Sequence, residues 1–335
     1  MNILMTSEFF YPHIGGLESI TESLADEFTR MGHNVKIVTS TTEIGDKIFP
    51  YDVIRNPSLK NMWDSYRWCD VFVHQQLSLK RIWPLFFKRK PWFVVYHQVG
   101  WSTGYKGLIK SFISRFPHNI CVSETTAKGY QLKQCDVIYN AYNDDVYKQS
   151  NFQVRKNIAF VGRLTKAKGV YLLIDAFNEF KEKTRVDYVL NIIGDSHERS
   201  QISAYASQTK YAVDIYFCGM KQSNEIKEIL NHHHILAVTS THPYYEAFGI
   251  VVLEGLACGC AVVGADGDGI EEALHSNGIL YRNGDCESLC NALIEAYNIP
   301  FCETLKKNKQ AKEWLRTRTK QKVAEEYIKI FKANK

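Results

Sequence analysis

Two carboxylates and two cations stand where they could serve one polyanionic ligand. In "EAFGIVVLEGLACGCAVV", Glu246 and Glu254 lie either side of an aromatic–glycine turn and a run of β-branched residues. An ionised carboxylate is costly to bury unless it is paired or hydrogen-bonded, so at least one of the two must face a polar ligand or a wet cleft. In "FVGRLTKAKGVYLLIDAF", Arg163 and Lys168 flank a strand-to-helix loop. Two cations there would neutralise a diphosphate and stabilise charge growing on it as it departs. The competing reading is two exposed basic residues on an ordinary loop.

Glycines supply the close approaches. Gly15 and Gly16, in "FYPHIGGLES", let the backbone come near a ligand at a helix N-terminus, a natural seat for phosphate. The pair is not a G-x-G-x-x-G, which argues against an ordinary nicotinamide site. Gly249 and its neighbours open the helix that carries Glu254, leaving backbone N–H groups to meet an anion. Helix residues eight apart lie two turns along and roughly 80° round. Glu246 and Glu254 therefore need not touch, yet both can line a groove holding an extended ligand. Asp266 and Asp268 form a literal D-x-D, but in a loop where a glycine-rich turn suffices, so no metal is expected. His232, His233 and His234, like Cys258 and Cys260, have side chains that diverge rather than converge on one ion.

The elements that must position these residues alternate along the chain. "NILMT" reads as a strand, then Leu17, Ile20, Leu24, Phe28 and Met31 recur at helical spacing up to Gly32. "HNVKIVTS", "CDVFVHQ", "PWFVVYHQ" and "NICVS" follow as strands, with helices between them, one around Leu79–Phe87 and one around Lys106–Phe116. The pattern lapses around "YNAYNDDVYKQSNFQVRK" and restarts with "NIAFVG", "YVLNIIG", "VDIYFCG", "ILAVTS" and "CAVVG". Strands alternating with helices imply parallel sheets covered on both faces. The expected organisation is an α/β chain of two Rossmann-like domains, residues 1–145 and 146–312, with a basic helical tail over 313–335 packing back toward the first. Such sheets bind ligands beyond the carboxyl ends of their strands, so the site is expected in a cleft between the domains.

Composition bounds the setting. At 335 residues the chain can form two ordinary cores, and its apolar fraction of 45% is that of a soluble globular protein. No apolar run approaches the roughly 18–20 residues needed to span a bilayer. No signal peptide is visible at "MNILMTSEFF". Nine cysteines, an odd number on a long chain, suggest buried thiols in a reducing compartment, so a cytoplasmic setting is expected. The net charge of +5 conceals an asymmetry: Val71 to Ser123 holds no Asp or Glu, but it holds Lys80, Arg81, Lys88, Arg89, Lys90, Lys106, Lys110 and Arg115. Such a patch attracts an anionic membrane surface, a phosphorylated lipid or a nucleic acid. The alternative is a set of solvated helix faces over ordinary core aromatics.

Taken in order and on matching strand ends, these motifs make the whole chain resemble the retaining GT-B glycosyltransferases that share an E-x7-E motif, most densely between Asn157 and Leu274. The resemblance implies a nucleoside diphosphate sugar, UDP- or GDP-linked, held mainly by the second half. Arg163 and Lys168 would clamp the diphosphate, Glu254 would accept hydrogen bonds from the ribose, and Glu246 would contact the donor sugar. The N–H groups of Phe248, Gly249, Ile250 and Val251 would serve sugar and phosphate, and Gly219 and Met220 would hold the base. From the first half, Gly15 and Gly16 would approach the phosphate and His97 the reacting sugar. Ala247, Ala141 and Ser196 stand where glycine is usual in the family, which puts the sugar pocket in question more than the diphosphate site. The implied activity is metal-independent transfer of a hexose-type sugar, without a cofactor, to a hydroxyl of a glycan or lipid-linked acceptor in cell-surface polysaccharide, lipopolysaccharide or glycolipid synthesis. The protein would be cytoplasmic, or peripheral on the inner face of the membrane. The alternatives are a nucleotide-sugar epimerase of the same fold and a non-catalytic protein that binds the nucleotide sugar in support of a partner. No nucleic-acid recognition motif is visible.

Overall fold

The computed structural model describes residues 1–335 apart from Ile14, Ser102, Thr103 and residues 242–245, and apart from the side chains of Phe301, Cys302, Thr304, Leu305 and Asn308. The chain forms two compact units, Met1–Ala141 joined by Arg318–Lys335, and Tyr142–Thr317.

The first unit begins with β1 (Asn2–Ser7), α1 (Gly16–Arg30), β2 (Asn34–Thr39) and β3 (Asp52–Arg55). It continues through α2 (Leu59–Trp68), β4 (Val71–Gln75), β5 (Trp92–Tyr96), α3 (Tyr105–Ile113), β6 (His118–Cys121), α4 (Glu124–Tyr130) and β7 (Asp136–Val137). The seven strands are parallel, in the order β3-β2-β1-β4-β5-β6-β7. The central strands read as nearly continuous apolar runs, as burial on both faces requires. On α1, Ile20, Leu24, Ala25 and Phe28 form the buried stripe. Gly32, at φ +79°, turns the chain after it.

The second unit holds β8 (Lys156–Val161), α5 (Val170–Thr184), β9 (Leu190–Ile193), α6 (Arg199–Ala206), β10 (Ile215–Gly219) and α7 (Ser223–His232). Then come β11 (His233–Val238), α8 (Ile250–Cys258), β12 (Ala261–Ala265), α9 (Gly269–Leu274), β13 (Ile279–Tyr281), α10 (Cys286–Asn298) and α11 (Phe301–Thr317). Its six parallel strands run β10-β9-β8-β11-β12-β13. Both sheets are doubly wound. The order reverses between β1 and β4 in one and between β8 and β11 in the other, and loops at such reversals diverge to leave a crevice.

One local expectation is corrected. The helix expected around Leu79–Phe87 is instead two 3₁₀ turns, Leu79–Arg81 and Trp83–Phe86. Pro84 has no N–H to donate to the carbonyl of Lys80, so a continuous α-helix cannot form there. The basic tail is helical in two pieces. It breaks after α11 and resumes as α12 (Lys320–Ala333), whose start is capped by Thr319 accepting from Lys322 N–H at 3.3 Å. Tyr327 and Phe331 of α12 pack against Phe28 of α1, and Phe331 reaches Phe93 of β5 with ring centres 4.6 Å apart. Among the described residues no helix is long and apolar enough to cross a membrane.

Candidate functional site

The second sheet carries its motifs on either side of its reversal point. Past β8, Gly162 lies so close to Gly194 that a Cβ on Gly194 would stand 1.9 Å from the Gly162 carbonyl oxygen. Gly194 N–H in turn donates to the carbonyl of Gly219 at 2.9 Å. The carboxyl ends of β8, β9 and β10 are thereby tied together, with Met220 exposed just beyond. Gly169, the left-handed residue before α5, is required where it is: a Cβ there would sit 1.6 Å from the Thr239 carbonyl oxygen. The Thr239 hydroxyl donates to the Lys168 carbonyl at 3.0 Å, and Thr241 N–H to that of Ala167 at 3.0 Å. The loop after β8 is thus fastened to the segment after β11.

That fastening brings two candidate residues together. The Lys168 ammonium forms an ion pair with Glu246 Oε2, which also accepts from the Ser240 hydroxyl at 3.2 Å. Both side chains keep about a quarter of their surface in solvent, 26% and 23%, so a ligand can reach the pair. The backbone of Glu246 is fixed as well. Its N–H donates to Asp268 Oδ2 at 3.0 Å, and its carbonyl accepts from Gly269 N–H at 3.1 Å. Burial pushes the Asp268 carboxyl up to about 7, against the two backbone N–H bonds that favour its charged form.

Helix α8 opens at Gly249, which is left-handed at φ +79°, and no side chain caps this end. The first-turn N–H groups, Ile250 and Val251 among them, have no acceptor within the helix and carry the positive end of its dipole. Phe248 is buried below the turn. One turn further, Glu254 accepts a hydrogen bond from Tyr147, whose hydroxyl also bonds Ser223. Burial dominates that bond and pushes the Glu254 carboxyl up to about 7. A carboxyl raised in this way inside a largely apolar helix makes Glu254 a candidate ligand contact.

Arg163 is exposed, and among the described residues its side chain has no ion-pair partner. It does not join the Lys168–Glu246 pair. Asp266 and Asp268, the literal D-x-D, are both turned to backbone amides. Asp266 accepts from Asn283 N–H at 2.9 Å, and Asp268 Oδ1 accepts from Ile270 N–H at 2.8 Å, capping α9. The three histidines diverge, His232 to the Glu228 carbonyl, His233 to Asn191 and His234 to Tyr188.

In the first unit, Gly15 is the residue before α1, and Gly16, the first of the helix, has nothing within 4 Å of the place a Cβ would take. His97 follows β5 directly. Its Nε2 lies 2.6 Å from Gln75 Oε1 at the end of β4, and its N–H donates to Gln76 Oε1 at 3.1 Å. Burial lowers the imidazole to about 4, so it is neutral near pH 7, with Nε2–H donating to Gln75 and Nδ1 left as an acceptor.

Sequence reasoning missed Asp268 as the holder of Glu246, and Tyr147 with Ser223 as partners of Glu254. A signal for the first was present. "DGIEE" has Asp at a helix start and Glu three residues on, and Glu271 does reach back to Gly267 N–H at 2.8 Å. The second carried no signal, because Tyr147 comes from the segment between the sheets.

Two doubly wound parallel sheets, one in each unit, are the architecture of the GT-B fold. Residues 144–314 match the family model described as glycosyl transferases group 1, and the chain belongs to that family. It is 26% identical over 333 residues to a component of human phosphatidylinositol N-acetylglucosaminyltransferase, an alignment covering 88% of this chain and 68% of the relative. Among solved structures it is similar to Anabaena HepE in complex with UDP-glucose, at a TM-score of 0.80 and 19% identity, covering 99% of this chain and 100% of the other. It is also similar to sucrose-phosphate synthase from Thermosynechococcus elongatus, at a TM-score of 0.80 and 17% identity, covering 99% and 98%.

Proposed function

We propose that the protein is a retaining glycosyltransferase that moves a hexose-type sugar from a nucleoside diphosphate sugar to an acceptor hydroxyl on a glycan or a lipid-linked carrier. The observation that carries this reading is the Lys168–Glu246 pair, fixed at the reversal point of the second sheet. Without a ligand, the two groups neutralise one another. A donor diphosphate would take the ammonium, and the carboxylate would turn to the sugar hydroxyls. Arg163 supplies a second, unengaged cation, and the first turn of α8 supplies N–H groups for the same anion. Glu254 is assigned to the ribose hydroxyls and Gly219–Met220 to the base. Gly15, Gly16 and His97 are the first unit's candidates for phosphate and sugar. HepE, solved with UDP-glucose, supports a UDP-linked donor, and the name of the human relative supports a lipid acceptor.

In the proposed reaction the bond from the anomeric carbon to the diphosphate breaks as the acceptor oxygen bonds to the same face. The departing phosphate takes the acceptor's proton. The protein's contribution is positioning, together with charge stabilisation that grows as the diphosphate leaves. A thermal-shift screen against UDP, GDP and ADP sugars identifies the donor, since a bound ligand raises the melting temperature by mass action. Proton NMR of the product then reads its anomeric configuration. Inversion, or no stabilisation by any nucleotide sugar, overturns the proposal.

A further inference from the structure

We propose that the solvent face of α3 is a docking surface for an anionic lipid bilayer. An ordinary surface helix turns its apolar stripe inward. On α3 the arrangement is reversed: Tyr105, Leu108, Ile109, Phe112 and, just past the helix, Phe116 recur at helical spacing and are all exposed, with Leu108 at 76% and Phe112 at 57%. The side toward the sheet is thin. Gly107 is the buried residue of the helix, and Ile113 packs on the cluster of Leu77, Val94, Tyr96 and Tyr130. An apolar row of this length left in water marks an interaction surface.

The charge around the row selects the partner. Arg115 stands 5.6 Å from the ring centre of Phe112 and Lys106 6.0 Å from that of Tyr105, so cations rim the apolar row. No acidic residue occurs anywhere from Val71 to Ser123. A second apolar pair, Phe86 at 80% and Phe87 at 75% exposed, precedes Lys88 and Arg89. Leu85 beside it packs into the same cluster as Ile113, which places the pair on the same side of the sheet as α3. Aromatic and aliphatic side chains edged by Lys and Arg, with no acids between, match the boundary between acyl chains and anionic headgroups. A second copy of this chain does not match, since the row would bring cation against cation. The proposal is independent of the transfer chemistry, because docking requires neither donor nor turnover.

The test is co-sedimentation of the full chain with phosphatidylcholine vesicles of rising phosphatidylglycerol content, at low and high salt. Partition rises with anionic lipid and falls at high salt. Lys106→Glu with Lys110→Glu removes the dependence on anionic lipid, and Leu108→Gln with Phe112→Gln lowers partition about tenfold or more. Circular dichroism is expected to show both variants folded, since Lys106, Leu108 and Phe112 are exposed and Lys110 is half-buried. The proposal is overturned if the wild type stays in solution with strongly anionic vesicles at low salt, or if folded variants bind as well as it does. It is equally overturned if size-exclusion shows a dimer that Leu108→Gln with Phe112→Gln breaks, since the face then belongs to a second copy.

Discussion

Asp268 holds Glu246 by its backbone: Oδ2 accepts the Glu246 N–H at 3.0 Å across 22 residues, while Oδ1 accepts the Ile270 N–H at 2.8 Å. Glu246 is therefore gripped twice, by Lys168 on its side chain and by Asp268 on its main chain. The grip crosses from the loop after β11 to the loop after β12. If Glu246 meets the donor sugar as proposed, this double grip would hold its carboxylate in a defined orientation.

Asp268→Ala removes both acceptors and leaves two backbone N–H groups near the protein interior unpaired, which lowers stability by about 1–3 kcal/mol for each. Asp268→Asn keeps one acceptor oxygen but turns an NH₂ group toward the other N–H. The alanine variant is expected to unfold at lower denaturant and to lose most transfer, and the asparagine variant to be milder in stability yet clearly slower in kcat. Unchanged kcat in a folded asparagine variant would show that Glu246 needs no such holder.

Lys168→Ala and Arg163→Ala each remove a cation that would strengthen its contact as the diphosphate departs. A loss on the order of 2–4 kcal/mol, or roughly 30- to 1000-fold in turnover, is expected from each. Their stability effects differ. Arg163 is exposed with no described partner, so its removal leaves the melting temperature unchanged, whereas Lys168→Ala strands Glu246 and lowers it. Near-normal rates in both variants would refute the assignment.

The two-sheet fold was legible in the sequence because apolar strands buried on both faces and amphipathic helices each leave a period. The candidate residues stood out because glycines, cations and carboxylates follow those strands in the sequence. The Lys168–Glu246 contact was not, since nothing local joins residues 78 apart. It depends on Gly169 letting two loops touch at the reversal of the sheet. The reversed polarity of α3 also escaped the pattern, which counts apolar spacing but does not say which way the face points. At Leu79–Phe87 the apolar period suggested a helix, and the missing N–H of Pro84 prevailed.

Transfer is expected to survive chelation. Asp266 and Asp268 each spend carboxylate oxygens on backbone N–H groups, with Asn283, Glu246 and Ile270, which leaves the D-x-D poorly set to ligate an ion. The cations of the proposed site are side chains instead. Rates measured with and without EDTA should agree within error. A loss restored by manganese or magnesium would return the loop to consideration as a metal site.

The two glutamates should divide their work, and pH separates them. The Glu254 carboxyl is raised from the ordinary 4.5 to about 7 by burial, so between these values the folded chain keeps a proton that the unfolded chain has lost. Stability from this group is therefore present in full below about pH 4.5 and is lost as pH rises through about 7. An amide never ionises, so Glu254→Gln should leave the melting temperature unchanged near pH 4. At pH 8 it should stabilise by about 1–2 kcal/mol, a figure discounted for the solvent that reaches the side chain. The same variant should bind free nucleoside diphosphate more weakly, because a neutral amide accepts ribose hydroxyls less strongly than a carboxylate. That deficit should widen between pH 6 and 8 as the wild-type group ionises. Glu246→Gln, whose partner is Lys168 and whose proposed ligand is the sugar, should keep its affinity for the free diphosphate and lose turnover instead. Calorimetry with UDP at the two pH values, beside kcat with the full donor, checks both halves. Equal losses of UDP affinity in the two variants would contradict the division, and a Glu254→Gln melting temperature that is not raised at pH 8 would show that this carboxyl is not the destabilised group the structure makes it.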